Sequence, residues 1–340
     1  MKKSINILVL LICFSILFNS CNEQKSQFKV GFLFSTMKSK RWGKEKEYFV
    51  EKIKESGGLV IVKVAERDEL KQYQQALELI DEGIDILVIN SVTSITSASI
   101  VREAHKKGIK VVAYDMLVKN CDLDFYITFD GEKVGELLGR YMIDKIPHGN
   151  YVLLNGDRGD DNAVLFQNGA MKALKPKIDS KDINLIYSGY MEEWSGANSA
   201  FYIDKIIECS NVKIDGIIST YDGLTDGIAS VLKSRNLTNK IPVTGQDAEI
   251  AACNRILNGE QLMTVYKPGK TLAYKCAEVV IHLLKKESIP DLKYINNGRK
   301  DVPSLILDPI SVDKNNLQST VVADGFWTMD EITNYKENTN

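Results

Sequence analysis

The sequence is poor in the residues that carry metal, redox and nucleophilic chemistry. Its 340 residues include six cysteines and three histidines. Cys13, Cys21, Cys121, Cys209, Cys253 and Cys276 form no CxxC pair, and His105, His148 and His282 are scattered. No metal site or bound cofactor is therefore expected. GxSxG, HExxH, GxGxxG and the P-loop pattern are all missing, which removes the usual signatures of acyl transfer, zinc proteolysis and nucleotide binding. The net charge is only −2, so there is no electrostatic footprint for nucleic acid. Beyond residue 20 no stretch is apolar and long enough to cross a bilayer. Buried free thiols are the expectation for the four downstream cysteines.

The one long apolar run is at the start. Lys2 and Lys3 precede a nearly continuous apolar stretch from Ile5 to Phe18, then Ser20-Cys21. That is the layout of a secretory signal peptide. A small residue before cysteine, with Leu17 upstream, favours a lipoprotein signal that leaves Cys21 lipidated; the plainer reading is an ordinary cleaved signal with an incidental cysteine. Residues 22–27 are polar and read as a tether. About 320 residues remain, more than a single core usually serves, which suggests two domains.

What is present is a repeated β-α alternation. Strands are expected at 28–34, 59–64, 84–89, 109–114 and 124–129, with helices at 44–55, 69–81 and 96–107 between the first four. Gly57-Gly58, Gly83 and Gly108 stand at the helix ends;. From Val134 the pattern restarts through Leu272–Lys286. Parallel strands with helical crossovers follow from this arrangement. The expected fold is α/β, two similar doubly wound lobes meeting near Phe129-Asp130. Residues 28–129 and about 267–289 are assigned to the first lobe, and 130–266 with about 290–330 to the second.

Six apolar strands end on a polar residue: Ser35, Asn90, Asp115, Asn155, Asp222 and Asp247. Carboxyl ends of parallel strands face one crevice, so these tips gather where something small and rich in hydroxyls could bind. Each acid can equally cap the following segment. Arg41-Trp42 offers a fork of donors beside an aromatic face that could stack on a sugar ring, or simply a tryptophan packed at a helix start. The loop 156–162 contains Asp157, Asp160 and Asp161; it would repel a phosphate and suits helix capping with hydroxyl recognition. Paired carboxylates could hydrolyse a glycoside, but nothing marks one as a proton donor, and no catalytic residue is assigned.

Taken together, several segments resemble the type I periplasmic sugar-binding family of bacterial ABC importers, which includes xylose-, ribose- and galactose-binding proteins. They are Arg41-Trp42, residues 109–115, 124–130 with 132–137, Gly245-Gln246-Asp247-Ala248, 263–268, and Asn297-Gly298 with 301–304. The resemblance spans about Phe28 to Phe326. It implies two lobes joined by a three-strand hinge that close on one monosaccharide, xylose or a related sugar, and hand it to a membrane permease. Residue by residue, it implies ligand contacts from Arg41, Trp42, Asp115, Asn162, Trp194, Asp222, Asp247 and Lys267, with the two tryptophans sandwiching the ring. The sequence departs from the xylose pattern at Met116, Asp161, Gln167 and Tyr221, which implies fewer donors in the pocket. The same fold can also serve as an extracytoplasmic sugar sensor signalling to a membrane kinase.

Overall fold

The computed structural model describes residues 28–209 and 212–336. The Cys21 site, the signal segment and the tether lie outside the described residues.

The first lobe is built on a seven-stranded sheet. Its strands are β1 (Lys29–Phe34), β2 (Leu59–Val64), β3 (Ile86–Ile89), β4 (Lys110–Tyr114), β5 (Phe125–Phe129), β11 (Lys293–Asn296) and β12 (Asp301–Leu307). The order is β11-β12-β5-β4-β3-β1-β2, parallel except for the β11-β12 pair. Strands β1, β3, β4 and β5 are almost entirely apolar and buried, as a sheet covered on both faces requires. One covering layer uses α2 (Glu69–Asp81) and α3 (Ala98–Lys106); the other uses α1 (Lys40–Glu55) and α9 (Gly269–Lys285).

The second lobe carries β6 (Gly149–Asn155), β7 (Ile183–Tyr190), β8 (Gly216–Ser219), β9 (Thr244–Gln246), β10 (Met263–Tyr266) and β13 (Ile310–Val312). They form two triplets, β7-β6-β8 and β13-β10-β9, linked by a bridge between Ile217 and Val243. Helices α4 (Gly131–Lys145), α5 (Asp161–Asp179), α6 (Gly196–Cys209), α7 (Asp222–Ser234) and α8 (Ile250–Asn258) cover them. The chain passes between the lobes at 129–131, 266–269 and 307–310.

Two expectations are corrected. Residues from about 290 do not all join the second lobe: β12 pairs in parallel with β5, and β11 with β12. Val302 is buried in the first core, and a fully buried edge beside β5 would otherwise be left unpaired;. Only the segment from β13 onward packs on the second lobe, where Val312, Leu317, Val321, Phe326, Trp327 and Ile332 cluster around Tyr266 and Ala248. Helix α1 begins at Lys40 rather than Lys44, because Ser39 caps it by accepting from the Arg41 amide;. That places Arg41 and Trp42 in its first turn, at the interlobe cleft. Cys121, Cys253 and Cys276 are buried free thiols, and Cys209 is an exposed one.

Candidate functional site

The strand ends of both lobes face one cavity of about 330 Å³. Arg41, Trp42, Asp115, Asn162, Trp194, Asp247 and Lys267 all line it.

Arg41 is the centre of the polar network. Its side chain is 2% exposed. Nε donates to Glu45 at 2.5 Å, Nη2 to Asp115 at 2.7 Å, and Nη1 lies 3.4 Å from Asp247. Glu45 also accepts from the Tyr114 hydroxyl at 2.6 Å. Lys267 Nζ sits 3.1 Å from Asp247 and 3.9 Å from Asp115. Burial alone would lower the Arg41 pKa, but Asp115, Glu45 and Asp247 hold it well above its ordinary value. Burial would likewise raise Asp115, yet Arg41 and Lys267 hold it below the usual carboxylate range;. Asp115 is therefore a charged acceptor.

The two acids are held alike. Asp115 follows β4 and Asp247 follows β9, and both sit at positive φ, 68° and 95°. A non-glycine residue in that region costs free energy unless its surroundings impose it. For Asp115 they do: its carbonyl accepts from Tyr126, Thr128 and Asn162, and its amide donates to Ile127. Asn162 Nδ2 also reaches the Asp115 carboxylate at 3.2 Å across the cleft. The Asp247 turn is braced by its own amide on Val265, by Ala248 N on Thr264, and by Trp327 Nε1 on Ala248 O at 2.8 Å.

Asp222 is corrected from a ligand contact to a brace. It is fully buried and does not line the cavity. Its carboxylate accepts from Gln261, Thr264 and the Glu249 amide at 2.9, 2.9 and 3.0 Å. Thr264 braces the 247–249 turn and Glu249 belongs to it, so Asp222 acts on Asp247 from behind the cleft wall. Two of the four departures from the family pattern also fall away. Asp161 is paired with Lys119 at 2.6 Å, and neither it nor Gln167 lines the cavity. Met116 and Tyr221 do line it.

The aromatic walls come from opposite lobes. The Arg41 guanidinium lies 4.2 Å from the Trp42 ring centroid, fixing both side chains;. Trp194 meets Tyr221 and Phe166 edge-on at 5.7 and 6.2 Å. It lies against Gly156, where an added Cβ would fall 2.1 Å from its ring.

Ser35 and Asn90 of the strand ends and Asp160 of loop 156–162 line the cavity, and so do Ser39, Phe166 and Gln246, which the motifs do not single out as contacts. Gln246 directly precedes the strand-end residue Asp247. The Asn90 carboxamide is taken up by Ser35 and the Tyr114 carbonyl. Gln246 also lines the cavity, and its Nε2 is buried with no hydrogen-bond partner among the described residues. Burial first, then Asp115, pushes Asp160 up to about 7. Phe166 lies one helical turn beyond Asn162 on α5, a spacing that sequence gives no reason to separate from core packing.

The profile of the periplasmic binding protein domain matches residues 30–288. The chain belongs to that family. It is 37% identical to the D-xylose-binding periplasmic protein of Escherichia coli, over 96% of this chain and 98% of the relative. It is 38% identical to the protein of the same description from Haemophilus influenzae, over 92% and 94%. Among solved structures, an ABC transporter solute-binding protein from Clostridium phytofermentans with bound β-D-glucose superposes with a TM-score of 0.83 at 29% identity, covering 89% of this chain and 99% of that one. The family is one of binding proteins, not enzymes, and the type I two-lobe fold is the one this chain adopts.

Proposed function

We propose that the chain captures a neutral monosaccharide, xylose or a close relative, between its lobes and delivers it to an ABC sugar importer while held at the membrane by lipid on Cys21. The observation that carries the sugar reading is the cavity itself. Two braced strand-end carboxylates, a buried guanidinium, an ammonium and two carboxamides surround a volume with aromatic faces at opposite walls. Sugar hydroxyls accept from Arg41, Lys267, Asn162 and Gln246 and donate to Asp115 and Asp247, forming charge-assisted bonds. The rings of Trp42 and Trp194 cover the apolar C–H faces. The ion pairs already neutralise the network, so an uncharged ligand fits better than an anion.

That the two relatives are D-xylose-binding proteins supports the ligand class, and Met116 and Tyr221 at the cavity wall are where this chain's own preference is set. The lipid anchor rests on the Ser20-Cys21 signal. Handing the sugar to a kinase-linked sensor is the second use of the same pocket, and co-purification with a permease or a kinase separates the two.

A ligand that binds only the folded state raises Tm by mass action. Thermal unfolding of the soluble chain against xylose, ribose, arabinose, glucose, galactose and fucose is therefore the screen. Stabilisation by one or a few of them supports the proposal; a Tm unmoved by every sugar refutes it.

A further inference from the structure

Beyond the first cavity, along the same interlobe cleft, lies a second of about 210 Å³. Ser35, Arg67, Met116, Asp160, Glu193 and Trp194 line both. These six residues are where the two cavities adjoin. The outer cavity adds Ser91 and Thr93 from the loop after β3, and Asp157 and Gly159 from the loop before α5. Its floor is buried at Ser91 and Met116, and its rim is exposed at Glu69, Gly159 and Glu193.

We propose that this outer cavity is a second saccharide subsite, so that the cleft accepts neutral disaccharides or glycosides as well as single rings. The inference rests on the sugar-binding reading and extends it. Ser91 lines this cavity and is fully buried, and its hydroxyl has no hydrogen-bond partner among the described residues. Arg67 Nε is buried and likewise without one. Buried polar atoms in native proteins are nearly always partnered, and two unpartnered ones on residues that line one cavity point to a ligand with donors and acceptors of its own. The walls carry the carboxyls of Glu69, Asp157 and Glu193, and that of Asp160, pushed up to about 7 by burial, against the single cation Arg67. That balance repels a phosphorylated or uronic sugar and offers acceptors to neutral hydroxyls. Trp194 is shared, so its indole can contact both rings across the glycosidic link. Met116 stands at the passage as an uncharged, flexible side chain that leaves the way open.

The test is titration of the soluble chain with xylose, xylobiose, cellobiose and maltose, repeated on Ser91→Ala and Thr93→Phe. Thr93 lines only the outer cavity, and a phenyl ring there fills it. The subsite predicts that at least one disaccharide binds within about tenfold of the best monosaccharide. Ser91→Ala should weaken that disaccharide about threefold to tenfold, and Thr93→Phe more, while the monosaccharide affinity of both variants stays unchanged. Binding of a monosaccharide with no disaccharide displacing it overturns the subsite and leaves the sugar-binding reading standing. Equal losses for one and two rings in both variants also overturn it. A protein that binds neither class overturns both readings.

Discussion

At the residue scale, the site depends on a few side chains whose neighbours fix them. Trp194 is half-buried at the edge of the second lobe's core, against Phe166, so Trp194→Ala should lower stability somewhat but keep the fold while removing an aromatic wall. The expected loss of monosaccharide affinity is roughly tenfold to a hundredfold, measured by titration, with an unchanged far-UV spectrum. Gly156→Ala should reproduce it, because the new Cβ would land in the Trp194 ring; wild-type affinity in that variant would mean that the indole is free to move. Asp247 and Asp222 make a contrasting pair. Asp247→Ala should weaken binding by more than tenfold, and it should also lower Tm, because Lys267 loses its nearest carboxylate;. Asp222→Ala leaves Gln261, Thr264 and the Glu249 amide without their shared acceptor, which should cost about 1–3 kcal/mol of stability and less affinity than Asp247→Ala. Both acids end a strand of the same type, and from sequence they read alike. What separates them is which way the following turn runs: Asp247 adopts positive φ and faces the cavity, whereas Asp222 starts α7 and points at Thr264. That difference is tertiary and leaves no mark in the local pattern.

At the scale of elements, most of the architecture was legible, because long apolar strands and glycine-terminated helices state their identity locally. The strands from β1 to β5 fall within a residue or two of their expected spans. The C-terminal tail was not legible, since β11 is short and exposed, β12 is only partly buried, and both join a sheet begun more than 150 residues earlier;. Helices α4 and α5 hide another long-range constraint. A Cβ at Gly135 would lie 1.9 Å from the Phe166 carbonyl, so the helices touch backbone to backbone. This contact sets the position of Asn162 and Phe166 at the cleft. Gly135→Ala must push α5 outward, with an expected overpacking cost of about 1–3 kcal/mol. A Tm lower by several degrees and weaker sugar binding should appear together; an unchanged Tm would show that the helices can separate without strain.

At the scale of the whole molecule, the lobes are latched across the cleft. Ser39 donates to Glu249 at 2.6 Å, Lys119 pairs with Asp161, and Lys40 and Lys44 sit over the Trp327 ring at 5.9 and 4.6 Å. Such contacts belong to a hinge that closes around its ligand. Glu249 makes the latch pH-dependent. Burial, then Asp247, raises its pKa from 4.5 to about 7. Between those values the folded state binds more protons than the unfolded one, so the contribution is fully present below about pH 4.5 and is lost as pH rises through 7;. Glu249→Gln keeps the acceptor and removes the titration. Its Tm relative to the parent should therefore climb by a few degrees from pH 5 to pH 8, and parallel Tm profiles would contradict this.

The claim underlying all of this is that the interlobe cavity binds one neutral sugar reversibly. Isothermal titration of the soluble chain with D-xylose at neutral pH tests it most directly. The account predicts saturable heat with one-to-one stoichiometry, an affinity of about micromolar or tighter, and a ligand recovered chemically unchanged. No heat with xylose and none with the other monosaccharides, from a protein that is folded by its spectrum, would contradict it.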